Sequence, residues 1–87
     1  DEVVINTTPV TVPNGYAASA LSATINATKG LVVGGGASGS LAVGAGGVIN
    51  NSAGTGLTVS AGGAVTVTGG HLTNNGAISN AGTITVQ

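Results

Sequence analysis

Residues 41–47 read LAVGAGG and residues 57–63 read LTVSAGG, and residues 31–36, LVVGGG, begin in the same way. In each copy a Leu and a Val stand two positions apart, which places both side chains on one face of a short β-strand. The glycines that follow permit a sharp change of chain direction. Strands and turns repeated in this way predict a β-solenoid, in which every coil buries its aliphatic face against neighbouring coils.

A tighter repeat closes the chain, where residues 74–79, NNGAIS, match residues 80–85, NAGTIT. Because solenoid coils typically take about 18–20 residues, the stretch 30–87 is expected to form about three coils of a short parallel β-helix. The aliphatic side chains expected to fill its interior are Leu31, Val33, Leu41, Val43, Leu57, Val59, Val65, Val67, Ile78, Ile84 and Val86.

The part of the chain before Gly30 differs in composition from the rest. Residues 1–13, DEVVINTTPVTVP, contain both prolines and no glycine, and their Val, Ile and Thr content favours an extended strand. Residues 14–29 are ambiguous between a short helix and a strand, with a strand favoured after Leu21. We therefore divide the chain into an extended N-terminal arm (1–13), a connecting segment (14–29) and all-β solenoid repeats (30–87). The strand-forming residues of the arm are Val3, Val4, Ile5, Val10 and Val12.

Charge is almost absent from this chain. Only 3% of its residues are charged, it has no Cys, and Lys29 and His71 are its only basic residues. General acid–base catalysis needs positioned titratable groups, and binding to phosphates needs several Lys or Arg side chains. We therefore expect no enzyme, no catalytic residue, no cofactor and no nucleic-acid partner. His71 stands in a Gly-rich turn without Asp, Glu or Cys nearby, so no metal site is expected either.

Three stretches resemble a known group of proteins: GSLAVGAGGVINN (39–51), TGLTVSAGGAVTVTGG (55–70) and LTNNGAISNAGTITV (72–86). They resemble coils of bacterial surface β-solenoid proteins, namely autotransporter passenger domains and filamentous-haemagglutinin-type adhesins. The resemblance covers about two thirds of the chain. It implies a right-handed parallel β-helix on the outside of a cell.

The ends of a short solenoid expose backbone N–H and C=O groups that can pair with further strands. Natural solenoids block this pairing with polar caps, whereas no Asp, Glu, Lys, Arg or Pro follows Gly30. We therefore expect a homopolymer built end to end, by coil-on-coil stacking or by donation of the arm to a neighbouring subunit. In the alternative, residues 1–29 fold back and cap their own domain. A β-sandwich pilin with donor-strand exchange is the rival fold.

The chain contains no run of 18 apolar residues, so no transmembrane helix is expected. It begins with Asp1, as a mature protein does after removal of a signal peptide. A structural subunit of an extracellular or cell-surface filament fits these features best. An adhesin fragment that binds a surface or a carbohydrate is the alternative function. An ice-binding solenoid is less favoured, because only the two Thr-x-Thr pairs at 66–68 and 83–85 suggest one.

Asparagines supply the remaining signals in the sequence. Asn74, Asn75 and Asn80 are expected to form side-chain ladders between coils, or to occupy turn positions that tolerate a left-handed backbone. Three Asn-x-Ser/Thr patterns offer glycan acceptors in a secreted chain, although about two such patterns are expected by chance in so Ser- and Thr-rich a sequence. The acceptor positions are Asn6, Asn26 and Asn50.

Overall fold

Short β-strands joined by turns make up residues 2–6, 10–36 and 38–87, which are the residues that the computed structural model describes. Ten strands lie within these residues. They are β1 (Glu2–Ile5), β2 (Val10–Val12), β3 (Ala17–Ile25), β4 (Leu31–Val33), β5 (Ser40–Asn50), β6 (Thr55–Val59), β7 (Ala64–Val67), β8 (Leu72–Asn74), β9 (Ala77–Asn80) and β10 (Thr83–Val86).

The strands pair in parallel with strands of the preceding and the following coil. One sheet has the order β1-β3-β5-β7-β10, with β8 also paired to β5, and the other has the order β2-β4-β6-β9. This arrangement is a parallel β-solenoid of about four turns. The expected all-β fold class, a short parallel β-helix, is therefore confirmed. The four turns are those of the whole chain, whereas the expected three were assigned to residues 30–87 alone.

The pairing arranges the strands in three columns. The first half of β3 and the first half of β5 lie in column 1 with β7 and β10. The second halves of β3 and β5 lie in column 2 with β1 and β8. Column 3 consists of β2, β4, β6 and β9. An irregularity between Ala20 and Ser22 separates the two halves of β3, because Ala20 pairs with Val43 whereas Ser22 pairs with Gly47.

The interior is aliphatic, as the Leu-x-Val units predict. Eight of the expected core residues are buried: Leu31, Val33, Leu41, Val43, Leu57, Val59, Val65 and Val67. Ile78 and Ile84 are partly buried and pack against this cluster. Val86 is 50% exposed, because it lies on β10, the last strand of column 1 among the described residues. The expectation that Val86 is an interior residue is therefore wrong for a single chain.

The segment before Gly30 belongs to the solenoid, which corrects the predicted division into arm, connecting segment and repeats. β1 pairs with β3 and β2 pairs with β4, and Ile5 and Val12 are buried in the common core. β3 also begins at Ala17, before the expected start after Leu21. The physical reason is that the arm carries the same two-residue aliphatic alternation as the later coils. Residues 1 and 7–9 of the predicted arm lie outside the described residues.

The coils are unequal in length, and the later ones are longer than the sequence predicts. Successive partners in column 2 are Val3, Ala23, Val48 and Leu72. The repeated Leu-x-Val unit marks one strand with its following corner and not one coil. The unit at 31–33 accordingly lies in column 3, whereas the unit at 41–43 lies in column 1.

Glycines allow the corners of adjacent coils to lie close together. Gly47 has φ +72, and a Cβ atom added there would overlap the backbone oxygen of His71 in the next coil. A Cβ atom added at Gly76 would overlap the backbone oxygen of Ser52. A residue with a side chain would therefore push the coils apart at both positions.

Candidate assembly surfaces of the solenoid

Titratable side chains are few within the described residues. No group of three or more His, Asp or Glu side chains that could hold a metal ion occurs within residues 2–6, 10–36 and 38–87. His71 is exposed at the corner between β7 and β8. Nowhere in the described part of the chain is there a helix of the length and hydropathy needed to cross a bilayer.

A column of asparagines runs along the corner that follows column 2. The pairing register places Ile5 beside Ile25, Ile25 beside Asn50 and Asn50 beside Asn74. In each coil the residue that follows this register position is an asparagine. The four residues of this asparagine column are Asn6, Asn26, Asn51 and Asn75.

Hydrogen bonds join neighbouring members of the asparagine column. The Asn26 side-chain amide donates to Oδ1 of Asn6, and the Asn75 amide donates to Oδ1 of Asn51 over 2.9 Å. The backbone keeps the same register, because the N–H groups of Asn26, Asn51 and Asn75 donate to carbonyl oxygens of the preceding coil at 3.1, 2.9 and 2.8 Å. The corner thus has a repeating pattern of polar pairing that runs along the solenoid.

Asn50 makes a second, inner set of contacts between coils. Its side chain is fully buried, and Nδ2 donates to Oδ1 of Asn74 and to the carbonyl oxygen of Ala77, both at 2.9 Å. Its Oδ1 accepts from the backbone N–H of Ser52 at 3.2 Å. Among the described residues, every buried side-chain nitrogen and oxygen has a hydrogen-bond partner. Asn50 therefore fixes the corner between columns 2 and 3.

The structure separates the roles that the sequence left open for the asparagines. Asn74 and Asn75 form side-chain bonds between coils, whereas Asn80 accepts a local bond from the N–H of Gly82 at 3.0 Å. None of these three residues has a left-handed backbone, because Thr28 is the only non-glycine residue with positive φ in the described ranges.

The glycan expectation fails at Asn50. A glycan would have to be attached to Nδ2, which is buried and donates two hydrogen bonds. The amides of Asn6 and Asn26 bond to each other, so the structure gives both a role in coil pairing.

The Thr-x-Thr pairs do not extend into a repeated array. Thr85 pairs with Thr66, but the next partners along this outward row are Ala42 and Ser19. A flat ice-binding face needs the same Thr pattern on successive coils, and this row contains two threonines.

One end of the solenoid contains a notch. β1 pairs only with the second half of β3, and no strand of the described residues covers the outer edge of residues 17–20. Beside this edge lies an apolar groove of about 120 Å³. Its lining includes Val3, Ile5, Val10 and Val12 from the predicted arm, together with Ala18 and Ala20 among the residues of β3. Val4, the remaining arm residue, is 54% exposed.

The opposite end has a projecting strand. β10 pairs with β7 on one side, and no strand within the described residues lies on its other side. Within residues 2–6, 10–36 and 38–87 each column contains four strands, but column 1 starts one coil later and ends one coil later than columns 2 and 3. The outer edges of β8 and β9 lie beside the projecting β10 and complete this end surface, which contains no charged residue.

Comparison with known proteins yields no match, either to a family model, to a curated protein or to a solved structure. The class that the structure defines is a short parallel β-solenoid with a notch at one end and a projecting strand at the other. The resemblance to bacterial surface solenoids stays a prediction from the sequence.

Proposed function

We propose that this chain is the structural subunit of an extracellular filament that grows by end-to-end association of identical copies. The observation that supports this function is the pair of strand edges at the two ends of the solenoid. Backbone N–H and C=O groups on such edges favour pairing with another strand. The strands β8, β9 and β10 that form one of these ends contain no charged side chain and no proline to oppose that pairing.

The low charge of the chain supports the same function. In a stack of identical copies, every charged side chain at an end of the solenoid would be buried against the next copy, and burial of an unpaired charge is unfavourable. Only Asp1, Glu2 and Lys29 have charged side chains. Hydrophobic burial and backbone hydrogen bonds can therefore hold the copies together with little electrostatic opposition.

Direct stacking fits the contacts better than donation of residues 1–13. β1 and β2 already pair with β3 and β4 of their own chain. Donation would remove Ile5 and Val12, which are 4% and 8% exposed, from the core of their own chain. Burial of each such side chain contributes about 1.5–3 kcal/mol, and this contribution opposes the release of the first coil.

The test is the association state of the purified protein at micromolar concentration, measured by sedimentation velocity and electron microscopy. We expect filaments with a repeat near 4.8 Å along their axis, which is about the spacing of adjacent strands. Val86→Lys places a charge on the projecting strand and should reduce filament mass at least tenfold.

Ile49→Lys is the matched control, because Ile49 is exposed on β5 between two paired strands and a charge there leaves both end surfaces unchanged. The wild-type protein remaining monomeric at every concentration would show the filament proposal to be wrong.

A further inference from the structure

The notch and the projecting strand occupy the same column of the solenoid. Residues 17–20 begin column 1 and β10 ends it. If the coil pattern continues from one copy to the next, β8 meets β1 in column 2 and β9 meets β2 in column 3. β10 then occupies the position that the first coil of the next copy leaves open in column 1.

We infer that β10 of one copy inserts into the notch beside β3 of a second copy, so that all three columns continue across the junction. This inference rests on the proposed function and names the surfaces through which the copies associate. The partner is a second copy of this chain in the same orientation. The junction then consists of three new parallel strand pairs.

The side chains fit this arrangement. Along the inward rows of column 1, Ala18 aligns with Leu41, Val65 and Ile84, and Ala20 aligns with Val43, Val67 and Val86. Continuing these rows places Ile84 and Val86 above Ala18 and Ala20 of the next copy, within the apolar groove. The two small alanines leave room there for the larger side chains, and the exposed face of Val86 becomes buried.

The asparagine column gives independent support for the same register. It begins at Asn6 in the first coil and ends at Asn75 in the fourth. With β8 beside β1 of the next copy, Asn75 faces the next Asn6 in the same way that Asn51 faces Asn75 within one chain. The asparagine column therefore continues through the junction in the same register, with a further Asn–Asn pair like those at Asn6–Asn26 and Asn51–Asn75.

Disulfide trapping tests the junction directly, because the chain has no native Cys. Continuation of column 1 places Thr85 of one copy beside Ser19 of the next, at the strand spacing of about 4.8 Å. This separation lies within the Cα range of about 4.4–6.8 Å that a disulfide spans. An equimolar mixture of Ser19→Cys and Thr85→Cys proteins, oxidised under filament-forming conditions, should give a covalent dimer as the main cross-linked product.

The controls use the same row of side chains. A mixture of Ala42→Cys and Thr85→Cys should give at least tenfold less dimer, because Ala42 lies one strand further from the junction, about 10 Å from Thr85. Each single variant alone should stay monomeric on a denaturing gel. A disulfide between two Ser19→Cys copies would show head-to-head association and would overturn the inference.

A charge in the notch provides a second test. Ala20→Asp blocks the notch of its own copy but leaves β10 intact, so this variant should join a growing filament and then stop growth at that end. One Ala20→Asp copy per ten wild-type copies should shorten filaments several-fold, whereas Ala42→Asp, on an exposed outward position of β5, should not.

The outcomes separate this inference from the proposed function. Filaments without the cross-link between positions 19 and 85 would leave the filament function standing and overturn the junction. The same cysteine experiment can be carried out on a longer chain that has residues before Asp1. If those residues fill the notch, Ser19→Cys and Thr85→Cys give no dimer, and the junction is overturned. Absence of any polymer of the wild-type protein would overturn both.

Discussion

At the scale of single residues, Asn50 is a polar residue whose side chain is buried in an aliphatic interior. It occupies the inward row that contains Ile5 and Ile25 in the earlier coils. Burial of an amide is unfavourable unless its donors and acceptors are paired, and Asn74, Ala77 and Ser52 provide those partners. This inward row is therefore aliphatic at Ile5 and Ile25 and polar at Asn50, where the side chain holds the corner between columns 2 and 3 by hydrogen bonds.

Asn50→Ala should lower the free energy of unfolding by about 1–3 kcal/mol, because it leaves buried partners of the amide without a hydrogen bond. Urea unfolding of unassembled protein measures this as a lower midpoint at an unchanged slope. Asn51→Ala is the control and should cost about 1 kcal/mol or less, since that side chain is exposed and makes one bond between coils. Equal losses for the two variants would contradict the role assigned to Asn50.

At the scale of strands, the Leu-x-Val units predict β4, the first half of β5, and β6, because two aliphatic residues on one face followed by glycine are a local signal. β1 and β2 have the same alternation but lack a following glycine pair, and the sequence alone therefore separates them from the repeats. The asparagine column cannot be predicted from the sequence, for another reason. Its members, Asn6, Asn26, Asn51 and Asn75, are unequally spaced along the chain, because the corners differ in length, and no fixed period relates them.

The membership of β1 in the solenoid predicts the behaviour of Ile5. Ile5→Ala should destabilise the unassembled chain by about 2–5 kcal/mol, because it opens a cavity beneath the first coil. Ile49→Ala removes the same atoms from a side chain that is 37% exposed, against 4% for Ile5, and should cost much less. Thermal or urea unfolding, at protein concentrations too low for assembly, measures the stability of the two variants. If residues 1–13 were a detached arm, Ile5→Ala would leave the stability of the single chain unchanged.

At the scale of the whole molecule, almost all of the stabilising contacts are apolar or are hydrogen bonds between uncharged groups. With 3% charged residues, the chain has too few charged side chains to build a network of ion pairs in the fold or at the proposed junction. Salt screens interactions between exposed charges, with a Debye length that falls from about 10 Å at 0.1 M to about 3 Å at 1 M. This chain has few charged side chains whose interactions salt could screen.

We therefore expect filament growth to change less than about twofold between 0.05 and 0.5 M sodium chloride, since the interactions that salt screens are few. Light scattering after dilution into each salt concentration measures the growth rate. Sodium sulfate at equal ionic strength is the comparison and should accelerate growth, because this salt strengthens apolar burial. A steep fall in growth with sodium chloride would show that ion pairs hold the junction.

In the proposed filament, the offset of column 1 by one coil would also determine which side chains are displayed to the surroundings. A stepped end accepts the next copy in one rotational position only, so equivalent side chains recur at regular axial intervals. Four coils at about 4.8 Å each place them about 19 Å apart along the axis. Tyr16 and Leu21, which are 58% and 49% exposed, would then each recur at this interval on the filament surface. A molecule with two binding sites at that spacing would engage neighbouring copies together, and it would distinguish the two directions of the filament.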